Sequence, residues 1–161
     1  RITPMTKPTV CRSLIFLLLL FGSALPAGAG DNEDVEAAMK IWAENLAVGT
    51  TENPDKILSL YAKDAVLWGT ISSTRRDDPA AIRDYFGNAY TNLPKLTATF
   101  QDPYIRVYGN VAINTGSYTF SYVKDGEIKK LPARYSFSYV KRNGHWLIVN
   151  HHSSGMPKPP K

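Results

Sequence analysis

The spacing of apolar residues divides this chain at Pro94, with helices and one short strand before it and strands alone after it. From Asp31 to Val48, residues Val35, Ala38, Met39, Trp42 and Leu46 recur every three or four positions, which predicts an amphipathic helix. Acidic residues crowd its first turns, where the helix dipole is positive, and Gly49 can close its end. A short second helix is expected from Asn53-Pro54, running through Ile57, Leu58 and Tyr61. Ala65 to Ile71 reads as a strand containing Trp68. Asp78-Pro79 caps a third helix with Ile82, Tyr85, Phe86 and Tyr90 on its apolar side. After Pro94 the period becomes that of strands: Leu96 to Tyr108, Val111 to Val123, Leu131 to Lys141, and Trp146 to His152. Gly109-Asn110, Asp125-Gly126 and Asn143-Gly144 separate them. Helices followed by consecutive strands predict an α+β domain, three N-terminal helices packed on a curved antiparallel sheet.

The last hairpin is the most informative stretch. Asn143-Gly144 supplies the two positive-φ residues of a type I′ turn. Regular pairing outward from it sets Tyr139 opposite Ile148, Phe137 opposite Asn150, and Tyr135 opposite His152. One face then carries Tyr135, Phe137, Tyr139, Trp146 and Ile148, ending in Asn150 and His152. A two-residue turn at Asp125-Gly126 adds Tyr118 and Phe120 to it. Such a face is either one wall of a pocket or a core face whose polar end reaches water. The opposite face carries Arg134, Ser136, Ser138, Leu147, Val149 and His151, a mixture suited to a sheet-to-sheet contact and hence to a two-fold homodimer or a higher oligomer.

Composition narrows the function. Lys7 and Arg12, the apolar run Leu14 to Phe21 and the small residues Ala27-Gly28-Ala29 have the order of a signal peptide, starting at Met5 and spanning 1–29. Its apolar run is far short of the ~20 residues that cross a bilayer. The expectation is a periplasmic or secreted domain over 30–155, followed by a disordered Pro/Lys tail over 156–161, without stable membrane insertion. Removing the leader lowers the basic count from 19 to 16 against 14 acidic residues, so the formal charge of +5 falls to +2. Nucleic-acid binding thereby loses its main support. No cysteine follows Cys11, which excludes disulfides and thiolate chemistry from the domain. A glycine-rich phosphate loop, an activated serine arrangement and a metal-ligand cluster are all lacking, so no cofactor or metal is expected.

The candidate ligand-binding residues are Trp42, Trp68, Arg75, Tyr118, Tyr135, Asn150 and His152. Four aromatic rings suit the apolar wall of a small-molecule site. Arg75 would anchor a carboxylate through paired hydrogen bonds, or else pair with Asp77 or Asp78 at the surface. His152 is the candidate general base if a reaction occurs.

The order α-α-β-α-β-β-β-β, with YAKDAVLWG at 61–69, DPAAIRDYF at 78–86 and RNGHWLIVNHHSSGMP at 142–157, resembles the nuclear transport factor 2-like superfamily. That superfamily includes ketosteroid isomerase and the SnoaL-like cyclases. The likeness is closest to the association (hub) domain of calcium/calmodulin-dependent protein kinase II and its exported bacterial relatives. It implies a cone-shaped fold, a pocket between sheet and helices, and self-association. An ungapped match puts the isomerase's general base at Gly69 and its phenolic donor at Trp42. The hub domain's pocket arginines fall at Phe137 and Ser153, and Asp and Glu are absent from Ile128 to Lys161. The isomerase machinery is therefore missing. The resulting expectation is an exported, homo-oligomeric domain for small-molecule binding or assembly. The alternative is an isomerase, cyclase or dehydratase using His152.

Overall fold

A computed structural model describes residues 29–49 and 53–158. The leader up to residue 28 and the tail residues 159–161 lie outside it. Helix α1 (Ala29–Val48) buries Val35, Met39, Trp42 and Leu46, the stripe its spacing predicts. A single turn, α2 (Asp55–Leu58), leads into β1 (Tyr61–Trp68). Pro54 stands at the cap position of α2, while the Asn53 side chain accepts a hydrogen bond from the Asp55 amide. Tyr61 opens the strand instead of extending the helix. Helix α3 (Pro79–Asn92) is capped by Asp78, whose carboxylate accepts from the Ala81 amide at 2.8 Å. Strands β2 (Thr97–Tyr108), β3 (Val111–Lys124), β4 (Glu127–Arg142) and β5 (His145–Gly155) complete one sheet of order β1-β5-β4-β3-β2.

The sheet is antiparallel except at one edge, where β1 runs parallel to β5. That exception follows from chain order: β1 precedes α3, and the chain crosses to the far edge before β2 to β5 fold back. Asp125-Gly126 and Asn143-Gly144 adopt positive φ at both positions, as a two-residue I′ turn requires, and the flanking pairs Lys124–Glu127 and Arg142–His145 close the hairpins. Tyr118 and Phe120 accordingly join the buried face. A bulge at Asp102-Pro103 interrupts β2, which gives the proline a place in a strand. Gly116 lies beneath it, where an added Cβ would come within 3.0 Å of the Asp102 carbonyl.

A second bulge decides the site. Tyr139 pairs with Ile148 as expected, but the next pair is Ser138 with Asn150, so Val149 is the extra residue. Beyond it, every side chain of β5 is on the opposite face from the one regular alternation assigns. Phe137 faces His151, Tyr135 faces Ser153, and Ser136 faces His152. The core between helices and sheet holds Trp42, Phe86, Tyr118, Phe137 and Tyr139, all but fully buried. Burying one such ring contributes about 1.5–3 kcal/mol.

Candidate functional site

Trp42 and Leu46 of α1, Phe86 and Ala89 of α3, and Tyr118 and Phe120 of β3 wall a narrow pocket between helices and sheet. It encloses about 370 Å³ measured out to its mouth, with room for little more than a water molecule between the side chains. His151 forms part of its floor. Thr70 and Ile71, just beyond β1, form part of its rim. These two are held there because the chain turns back on itself: Leu67 and Arg76 exchange both backbone hydrogen bonds, at 2.7 and 2.9 Å. Gly69 makes room for the ring of Tyr85, since a Cβ on Gly69 would lie 2.2 Å from it. Burial raises the Tyr85 hydroxyl to a pKa of about 12, opposed by hydrogen bonding from the backbone of Ile71 and Thr70.

A chain of hydrogen bonds crosses the floor. The Trp42 indole N–H donates to Tyr61 Oη at 3.0 Å, and Tyr61 Oη lies 2.8 Å from His151 Nδ1. An indole nitrogen can only donate, so the Tyr61 oxygen accepts there. His151 Nε2 lies 3.4 Å from Tyr118 Oη; because the Tyr118 proton goes to Ser153 Oγ, its oxygen is the acceptor here, which puts the imidazole proton on Nε2 and leaves Nδ1 to accept from Tyr61. Tyr118 donates in turn to Ser153 Oγ, and Ser153 is bonded to Thr70 Oγ1. The chain thus links Trp42 on the first helix to the hydroxyl of Thr70 at the rim. Burial, with a smaller contribution from the neighbouring His152, pushes the His151 pKa down to about 3, so the ring is neutral near neutral pH. Burial likewise raises the hydroxyls of Tyr61 and Tyr118.

Two of the seven candidate ligand residues, Trp42 and Tyr118, line this pocket. Tyr135 is buried one layer away, stacked on Tyr118 with ring centres 5.0 Å apart and donating to Asn114 Oδ1 at 3.1 Å. The other four lie elsewhere. His152 is exposed and pairs with Trp68, 41% exposed, on the outer face of the sheet, where Asn150 is also found. The bulge at Val149 is the cause for Asn150 and His152; Trp68 faces outward because Leu67 faces the core. Arg75 is exposed and pairs with Asp77 at 2.6 Å, so the pocket rim bears no cation from it. Arg134 stays on the outer face, its Nε donating to Ser154 Oγ at 3.1 Å. His151, assigned to the interface by regular pairing, is instead 3% exposed at the pocket floor. Tyr61, Thr70, Tyr85 and Ser153 complete the polar set that residue patterning missed. Among the described residues, no three metal-ligating side chains converge, and no helix is long and apolar enough to cross a membrane.

A helix-covered, curved and unclosed five-stranded sheet with a pocket under it defines the nuclear transport factor 2-like, cystatin-like class of folds. Within that class, the family model for the calcium/calmodulin dependent protein kinase II association domain matches residues 31–157, and the chain belongs to that family. A candidate domain of the same family from Xanthomonas campestris is 37% identical, with a TM-score of 0.72 over 85% of this chain and 95% of that one. A nuclear transport factor 2-like protein from Salmonella enterica serovar Typhimurium is 20% identical, with a TM-score of 0.71 over 83% of this chain and 96% of that one. A candidate dehydratase of the same superfamily from Streptomyces avermitilis is 13% identical, with a TM-score of 0.70 over 80% of this chain and 98% of that one. The last two likenesses concern the fold alone. No curated protein matches the sequence.

Proposed function

We propose that this chain is an exported, self-associating domain whose helix–sheet pocket binds a small organic molecule. The observation that carries the binding role is the pocket itself: aromatic and aliphatic walls around a floor of hydrogen-bonded polar groups, the composition small-molecule sites have. Self-association is the role for which its family is named, and the outer sheet face suits it. There Trp68, His152, Ser136, Thr115 and Tyr104 form one row across all five strands, with small hydroxyls between two exposed rings. A row of this kind can meet a second copy about a two-fold axis.

The enzyme reading loses its base. His152 faces away from the pocket, and His151, which faces it, accepts a proton from Tyr61 at Nδ1 and has little basicity left. Binding and assembly are tested together by light scattering and thermal denaturation of the purified protein. The expected result is a dimer or larger species, stabilised by small aromatic molecules. A monomer at high micromolar concentration would contradict the assembly role, and indifference to every such molecule would contradict the binding role. For export, N-terminal sequencing of the native protein should find a start near Gly30. A native chain that retains residues before Ala27 would count against cleavage.

A further inference from the structure

The floor of the pocket specifies the charge and polarity of what enters, given the binding role proposed above. The residues lining it include no lysine, arginine, aspartate or glutamate, and its one imidazole is neutral. A buried carboxylate would lose its hydration there and gain no counter-charge. The adjoining loop carries two arginines, and both are spent on carboxylates: Arg75 is turned outward onto Asp77, and Arg76 pairs with Asp84. The polar groups that remain are uncharged, and the chain of hydrogen bonds ends in the Thr70 hydroxyl at the rim, which can turn its proton to a ligand. Midway along, the His151 Nε2–H spans 3.4 Å to an oxygen whose own proton is committed to Ser153, a long bond that a better acceptor would replace.

We infer that the pocket selects an uncharged, ring-bearing molecule that presents one hydrogen-bond acceptor, such as a ketone, aldehyde or ether oxygen, to the Thr70–His151 end, and that it rejects carboxylates. The walls supply apolar contact to the ring, which enters by widening a pocket that in this structure has room for little more than a water molecule. Thr70 and His151 read the single oxygen.

The test is an NMR titration of the purified protein with ethylbenzene, acetophenone and benzoate, three molecules that share a ring and differ at its substituent. The indole N–H of Trp42 reports binding. Acetophenone should bind ~3- to 10-fold more tightly than ethylbenzene, the effect of one added hydrogen bond. Benzoate at neutral pH should bind at least about tenfold more weakly than acetophenone. Thr70→Val removes the rim hydroxyl at nearly constant volume, and should bring acetophenone down toward ethylbenzene while leaving ethylbenzene unchanged. In the wild type, the imidazole nitrogens of His151 should show a neutral ring protonated at Nε2. Benzoate binding as tightly as acetophenone, or a His151 ring protonated at Nδ1, would overturn the inference and leave the pocket a binding site. If none of the three probes bound, the binding role would itself fall, and this inference with it.

Discussion

His151 concentrates the physics of the site in one side chain. It is buried neutral, so its stability contribution depends on pH in a defined direction. Between its ordinary pKa of 6.5 and the folded value of about 3, the unfolded chain takes up a proton that the native state refuses. Native stability from this group is complete above the upper value and falls as pH drops through the window, by about 1.4 kcal/mol per pH unit. His151→Phe keeps the ring and removes the titration, so its unfolding free energy should fall less steeply with acid than that of the wild type. Urea denaturation at neutral pH and about two units lower measures the difference. His152→Ala should change stability by less than about 0.5 kcal/mol, as surface substitutions do. Its wild-type neighbour on the inner face should be several-fold more sensitive to the same change. Equal sensitivity of the two histidines would mean that the β5 register is wrong.

At the scale of elements, the strand and helix that meet at Gly69 control the pocket's width. A methyl group there would overlap the ring of Tyr85, which must then swing aside. Gly69→Ala should cost about 1–3 kcal/mol of stability, as overpacking does. Acetophenone binding should be lost as well, because the displaced ring is part of the pocket wall. Titration beside urea denaturation would show both effects; unchanged binding would mean that Tyr85 has another place to go. Most of these elements were legible from residue spacing. The stripe Val35–Trp42–Leu46, the cap Asp78-Pro79 and the two glycine turns each carry a local signal strong enough to place a helix or hairpin. The bulge carries none so direct, because a one-residue insertion leaves composition unchanged while inverting every side chain beyond it. Two traces of it were present all the same. Leu147-Ile148-Val149 breaks the alternation of polar and apolar residues. Also, the family likeness set Ser153 in the pocket while regular pairing set His152 there, and adjacent strand residues cannot share a face. Tyr61 was lost for a different reason: helix and strand periods both accommodate a single aromatic at an element's end. Arg75 stayed open between a ligand and a surface pair because nothing in a loop's composition says which way an arginine will point; it pairs with Asp77.

For the molecule as a whole, the two faces of the sheet divide the work. The inner face, covered by α1 and α3, encloses the pocket and its chain of hydrogen bonds. The outer face presents the row from Trp68 to Tyr104. Charge placed in the middle of that row should separate protomers without disturbing the core. Ser136→Arg is therefore expected to yield a folded monomer, checked by light scattering together with near-ultraviolet circular dichroism. An unaltered oligomer would move the interface to another surface. The proposals of self-association and of a neutral pocket ligand meet in one measurement, native mass spectrometry of the protein purified from its own source. The account predicts a dimer or larger assembly in which each protomer retains an uncharged ring-bearing molecule, released intact on unfolding. A monomeric protein, or an assembly retaining a carboxylate, would contradict it.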